Sequence, residues 1–165
     1  MELLIVRHAI ACERAAQRWP DDGERPLSAR GVLRARQAAR GIRRVVPRPV
    51  RVLTSPLLRA RQTAAILSEF AGWPRASLCP LLVPEASPTA VLALLARSRE
   101  SCVALVGHQP GLGRLLASCL SGGGSGAAFE LRKMGMALIG FDGAPRTGRG
   151  ELLWLVPPRL LRAAR

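Results

Sequence analysis

The sequence predicts an α/β three-layer sandwich, a central and mostly parallel sheet covered by helices on both faces, with an antiparallel hairpin at its C-terminal end. Three observations carry this. Short strand-like runs, Leu3 to Val6, Val50 to Thr54 and Cys102 to Val106, alternate with amphipathic segments of helical length. The first and third of these runs are apolar throughout, as strands buried on both faces are, and do not alternate with polar residues. Near the C-terminus two strand-like runs, Met134 to Phe141 and Glu151 to Val156, flank a Gly-rich turn, which reads as a hairpin. With 165 residues and no internal repeat, a single domain over 1–165 is expected.

In chain order, the first run ends abruptly in Arg7 and His8, placing two polar, potentially cationic side chains at a strand tip. In open α/β sheets that edge is where ligands bind. Residues 9–24, with Pro20, Asp21, Asp22 and Gly23, show no sustained period and read as a loop lying against that tip. From Ser28, a suitable N-cap, Val32, Ala35, Ala39, Ile42 and Val46 recur at helical spacing, and Pro47 and Pro49 stop the helix. Its other side carries Arg30, Arg34, Arg40, Arg43 and Arg44, which read first as a solvated face.

Val50 to Thr54 breaks at Ser55-Pro56 into a second amphipathic helix carrying Leu57, Ala60, Ala64, Leu67 and Ala71. Pro56 is expected in its first turn, where a missing N–H costs nothing. Arg59 then projects near the helix start, where free backbone N–H groups favour an anion, while Arg61, about 200° around the helix, faces elsewhere. A third apolar stretch, Leu78 to Val83, leads through Pro84-Glu85 into a short helix from Ser87-Pro88. Cys102 to Val106 is followed by Gly107-His108-Gln109-Pro110-Gly111 and a helix with Leu112, Leu115, Leu116 and Cys119. Ser121 to Gly126 is Gly/Ser-rich and reads as a mobile surface loop.

Charge narrows the partners. Lys plus Arg total 25 against 11 Asp plus Glu, a net charge of +14, and Lys133 is the one lysine. Anionic partners follow, although so heavy an arginine load also fits a genome whose base composition favours Arg, Ala, Gly and Pro codons together. Aromatic residues make up 4% and tyrosine is absent, so base-stacking platforms are scarce and nucleic acid is not the expected partner. Cys12, Cys79, Cys102 and Cys119 form no C-x-x-C pair and the two histidines lie a hundred residues apart, so no metal-site spacing exists and no cofactor is called for. No signal-peptide apolar region and no membrane-length apolar stretch is present. Thiols with no pairing pattern and no export signal make a cytoplasmic setting, away from membranes, the expectation.

Three strand ends converge on one sheet edge, bringing Arg7 and His8, then Ser55 to Arg59, then His108. Such a cluster suits a tetrahedral anion. Two guanidinium forks can each take two oxygens of a phosphoryl group, and one imidazole can attack phosphorus, since neutral imidazole is nucleophilic near pH 7 and its phosphoramidate remains hydrolysable. Phosphoryl transfer depends on positioning and charge neutralisation, which arginines supply without metal. Glu85, on a loop at the same edge, is the candidate proton donor for a leaving group, a contribution of roughly 10² to 10⁴ in rate. Each feature alone is weak; both histidines of the chain meeting at three strand ends is what marks a site.

Leu4-Ile5-Val6-Arg7-His8-Ala9, Ser55-Pro56-Leu57-Leu58-Arg59-Ala60-Arg61-Gln62-Thr63 and Val106-Gly107-His108-Gln109-Pro110 resemble the signature segments of the histidine phosphatase superfamily. The short length, Arg25-Pro26-Leu27-Ser28 with Gly31, Pro84-Glu85 and Leu152-Leu153-Trp154-Leu155-Val156-Pro157-Pro158 are similar to the compact SixA-type phosphohistidine phosphatases of the phosphoglycerate mutase-like fold. The resemblance implies that His8 is the phosphorylated nucleophile, that Arg7 and Arg59 bind phosphoryl oxygens, that His108 donates to them, and that Arg25 is an outer phosphate contact. Ala9 stands where the family usually has glycine. The chain lacks the insertions with which larger relatives enclose small metabolites, so an open site, a phosphohistidine presented on another protein and an acidic phosphoprotein partner are expected. The competing readings are a phosphatase for a small phosphomonoester and a non-catalytic basic module that binds phosphate or nucleic acid.

Overall fold

The computed structural model describes residues 1–122 and 129–164; residues 123–126 of the Gly/Ser-rich stretch therefore lie outside the described residues, whereas Ser121 ends a helix that Gly122 caps. Strands β1 (Glu2–Arg7), β2 (Arg51–Thr54), β3 (Ser77–Leu78), β4 (Cys102–Gly107), β5 (Met136–Phe141) and β6 (Gly150–Val156) form one sheet in the order β3-β2-β4-β1-β5-β6. The pairs β1·β4, β4·β2 and β2·β3 are parallel, whereas β5 runs antiparallel to β1 and β6 antiparallel to β5. The sheet is therefore mixed, parallel across its first four strands and closed by the hairpin.

β1 sits in the middle, between β4 and β5, and both faces are covered. Leu3 and Ile5 pack toward one face with residues of α3 (Pro88–Leu95) and α4 (Gly111–Ser121); Leu4 and Val6 pack toward the other with α1 (Ala29–Val45), α2 (Leu58–Ala71) and α5 (Pro158–Ala163). A strand shielded twice has no solvent side, which is why its sequence does not alternate.

Helix α1 begins where Ser28 Oγ accepts the Gly31 N–H at 3.0 Å, and it buries Ala35, Ala38, Ala39 and Ile42. Small residues on that stripe let neighbouring backbones come close. A Cβ at Gly41 would lie 1.8 Å from the Leu161 carbonyl oxygen of α5, so only glycine permits this helix contact. On the basic side, Arg36 and Arg40 lie over the Phe70 ring at 5.3 and 5.2 Å rather than being wholly solvated.

Several local expectations change. Leu78 to Val83 yields only the two-residue edge strand β3 and then a 3₁₀ turn, Pro80–Leu82, because Pro80 lacks a ladder donor. Pro56 precedes the N-cap Leu57 instead of lying in the first turn of α2. Helix α5 has no counterpart in the sequence reading. The loop after β1 is tied down by an antiparallel bridge between Ala11 and Leu27 and by a 3₁₀ turn, Asp22–Glu24, capped by Asp21. No helix among the described residues is long and apolar enough to cross a membrane.

Candidate active site

Parallel pairing sets the strand tips level. Arg7 lies opposite Gly107 in the β1·β4 register and Thr54 opposite Val106 in β2·β4, so His8, His108 and Ser55 leave the sheet side by side. The His8 N–H donates to Gly107 O at 3.0 Å and the Ser55 N–H to Val106 O at 2.9 Å, which fixes their backbones. The two imidazole rings stand 5.0 Å apart, centroid to centroid. A cavity of about 930 Å³ opens over them, and all six sequence candidates, Arg7, His8, Arg25, Arg59, Glu85 and His108, line it. Arg61 does not; it reaches Glu24 Oε1 at 3.5 Å outside the cavity.

The histidines are buried and differently held. His8 Nδ1 lies 2.6 Å from Ala9 O, and a carbonyl only accepts, so the ring proton sits on Nδ1 and Nε2 keeps its lone pair. His108 Nε2 lies 2.8 Å from Ser55 Oγ, while its buried Nδ1 has no partner among the described residues. Burial, reinforced by the cationic Arg59 and Arg7, pushes His8 down to about 3; burial and the neighbouring His8 push His108 down to about 3 as well. Both rings are neutral at pH 7.

That has a stability consequence with a defined sign. An unfolded histidine takes a proton below about pH 6.5, and the folded site refuses it until far lower, so stability is complete above pH 6.5 and is lost as pH falls toward 3. Between pH 6.5 and 5, before most carboxylates titrate, each histidine should remove about 2 kcal/mol. Denaturant unfolding at pH 7, 6 and 5 checks this: the wild-type protein should lose stability over the interval, and His8→Ala should lose about half as much. Equal slopes for the two proteins would contradict the buried neutral pair.

The arginines show the largest departure from expectation. Arg7 Nη1 donates to Leu131 O at 2.6 Å and reaches Glu130 Oε1 at 3.5 Å; Arg59 Nη1 donates to Asp22 O at 2.7 Å and Nη2 meets Asp22 Oδ2 at 3.1 Å. Their buried Nε groups have no partner among the described residues. Asp22 thus grips the fork that sequence reasoning reserved for phosphoryl oxygens, because a guanidinium that is 3% exposed requires acceptors nearby. A hydrogen bond from Arg25 above all, with the charges of Arg59, Arg25 and Arg14, holds the Asp22 carboxyl below the usual carboxylate range, so it is an acceptor and not an acid at neutral pH. Arg25 is itself engaged, by Asp22 Oδ1 at 2.7 Å and Cys12 O at 2.6 Å, and so ties the loop to the cavity wall. Glu85 is exposed at the rim.

Three site residues went unassigned in the sequence. Asp22 looked like ordinary turn chemistry. Ser55 and Thr63 lie within the second signature segment and hold the first and third together: Ser55 bonds His108, and Thr63 Oγ1 accepts the Ala9 N–H at 3.0 Å while donating to Arg59 O at 2.7 Å. The turn before β5 contributes as well, the Met134 N–H donating to Arg7 O at 3.0 Å from a left-handed φ of 62° that its sequence does not announce. Ala9 is compatible with its position. It is buried, its φ is not positive, and alanine needs no glycine-like freedom there.

Residues 3–81 match the model of the histidine phosphatase superfamily (branch 1). A solved structure of the protein histidine phosphatase SixA, complexed with tungstate, superposes with a TM-score of 0.84 at 28% identity, covering 98% of this chain and 99% of that one. The chain belongs to the histidine phosphatase superfamily. It is also 38% identical to an uncharacterized protein of Picosynechococcus sp., over 98% of this chain and 99% of the relative. The alpha-ribazole phosphatase of Shigella flexneri shares the histidine phosphatase fold at a TM-score of 0.71 and 18% identity, covering 96% of this chain and 97% of that one.

Proposed function

We propose that this histidine phosphatase removes the phosphoryl group from phosphohistidine carried on another protein, through a phosphorylated His8. Superfamily membership and the likeness to SixA support a phosphatase. The observation that carries the mechanism is one cavity lined by a neutral His8, its ring proton held on Nδ1, and by Arg7, Arg59 and His108, whose buried Nε, Nε and Nδ1 have no partner among the described residues. Tungstate bound to SixA is a tetrahedral oxyanion, the shape such donors suit.

In this reading His8 Nε2 attacks phosphorus, the P–N bond to the substrate imidazole breaks as the P–N bond to His8 forms, and the departing imidazole takes a proton. Water then cleaves the phosphoramidate on His8, releasing inorganic phosphate. Arg7 and Arg59 neutralise the equatorial oxygens. The Ser55 hydroxyl donates to His108 Nε2, which leaves the His108 proton on Nδ1 to bond a phosphoryl oxygen. Asp22 must yield part of the Arg59 fork when the phosphoryl group arrives. Glu85, at the rim, is assigned delivery of the leaving-group proton, and Arg25 acts through Asp22 at the cavity wall. The free thiols of Cys12, Cys79, Cys102 and Cys119 fit the cytoplasmic setting of this reading.

Rapid quench with a ³²P-labelled phosphohistidine protein tests it. Acid-labile, alkali-stable label on His8 is expected, together with catalytic efficiency for the phosphoprotein at least tenfold above that for small phosphomonoesters. Label on another residue rejects the mechanism, and preference for small esters rejects the substrate class.

A further inference from the structure

Beside the catalytic cavity lies a second concavity of about 680 Å³, lined, besides Arg7, by five cations from three separate parts of the chain. Arg34 comes from α1, Arg132 and Lys133 from the turn before β5, and Arg159 and Arg162 from α5. The one carboxylate on its wall, Glu130, is directed to Arg7 at 3.5 Å, and none of the five cations pairs with a carboxylate among the described residues. Between the charges its lining includes apolar residues such as Ile10, Met134 and Pro157. Arg7, Ile10 and Lys133 line both concavities, so the groove runs directly out of the catalytic cavity.

We propose that this groove binds an acidic segment of the protein that presents the phosphohistidine, an inference that rests on the substrate class proposed above. A general arginine excess explains scattered surface cations, as on the outer side of α1. It does not explain convergence from distant segments into one concavity that opens on the site. Like charges gathered in one concavity repel one another, and an anionic partner relieves that repulsion while steering encounter. A peptide is favoured over nucleic acid because the lining offers aliphatic and proline side chains and, among the described residues, no aromatic ring on which a base would stack. Carboxylates on the segment would meet Arg132 and Arg159, both exposed, as its phosphohistidine reached His8.

Fluorescein-labelled hexaglutamate, followed by anisotropy at low salt, is the probe. The variant Arg132→Ala/Arg159→Ala, confined to exposed side chains, should bind it at least tenfold more weakly. The charge-matched variant Arg43→Ala/Arg97→Ala, whose residues line neither cavity, should bind within twofold of wild type. In turnover, the groove variant should show a tenfold lower kcat/KM for a phosphohistidine phosphotransfer protein through KM, a shallower salt dependence, and an unchanged rate with p-nitrophenyl phosphate. Equal weakening by the two variants, no weakening by either, or tighter binding of an oligothymidylate of equal charge would overturn the groove assignment. The substrate class fails separately, in the wild-type enzyme, if it turns over small esters and not the phosphoprotein.

Discussion

Replacing His8 with alanine should lower kcat by 10⁴-fold or more, on the order of the loss when a covalent nucleophile is deleted. The expectation follows from placement. His8 is 7% exposed, its Nδ1–H is bound to Ala9 O at 2.6 Å, and its Nε2 is the ring nitrogen left to attack. No nearby group can replace it, since His108 is engaged through Nε2 by Ser55. The variant should remain folded, because a small apolar residue relieves a buried polar one, and should still bind inorganic phosphate within about tenfold through Arg7, Arg59 and His108. Steady-state kinetics with equilibrium binding of phosphate check the two halves. Residual turnover above one percent would remove His8 from the covalent role, whereas loss of phosphate binding would show that it organises the pocket.

Gly31→Ala should damage both fold and activity. A Cβ at that position would lie 1.9 Å from Ile10 O and 2.8 Å from Ile10 C, backbone atoms that cannot swing away. Ile10 O also accepts the Ser28 N–H at 3.0 Å at the cap of α1, so either the helix start or the segment following His8 must move. Overpacking of this kind costs about 1–3 kcal/mol, or roughly 2–4 °C in Tm for each kcal/mol in a chain of this size. Since Ala9 holds His8 through its carbonyl and Thr63 through its N–H, a shift of about 1 Å there should lower kcat about 10²-fold. Gly41→Ala supplies the comparison: its Cβ would meet Leu161 O at 1.8 Å, far along α1 from the cavity, so it should lower Tm similarly and leave kcat within about threefold. Calorimetry and kinetics on both variants separate the effects; equal kcat losses would contradict the coupling of Gly31 to His8.

What could be read from the chain was whatever local pattern controls. Fully apolar runs marked β1 and β4 because both of their faces are covered, a short strand-like run marked β2, and the 3.6-residue spacing from Ser28 marked α1 because one stripe is buried. The C-terminal runs marked the hairpin. Where the pattern is short or tertiary packing dominates, the reading stopped: Pro80 cut the third apolar stretch to two paired residues, and the six-residue α5 exists by docking on Gly41 rather than by propensity.

The same division runs through the candidate site. The sequence by itself determined which side chains stand at the strand tips, Arg7, His8, Ser55 and His108, and that Arg59 stands at the start of α2, because the ends of strands and helices are local properties. Only the tertiary structure decided what each of them touches there. The parallel register of β1 with β4 brings two histidines a hundred positions apart to 5.0 Å, and their shared burial keeps both rings neutral. Asp22 on the fork of Arg59, and the basic groove assembled from α1, the turn before β5 and α5, come from contacts between remote segments. Hydrogen bonds, burial and concavity depend on which chain segments meet, and no local pattern encodes that meeting.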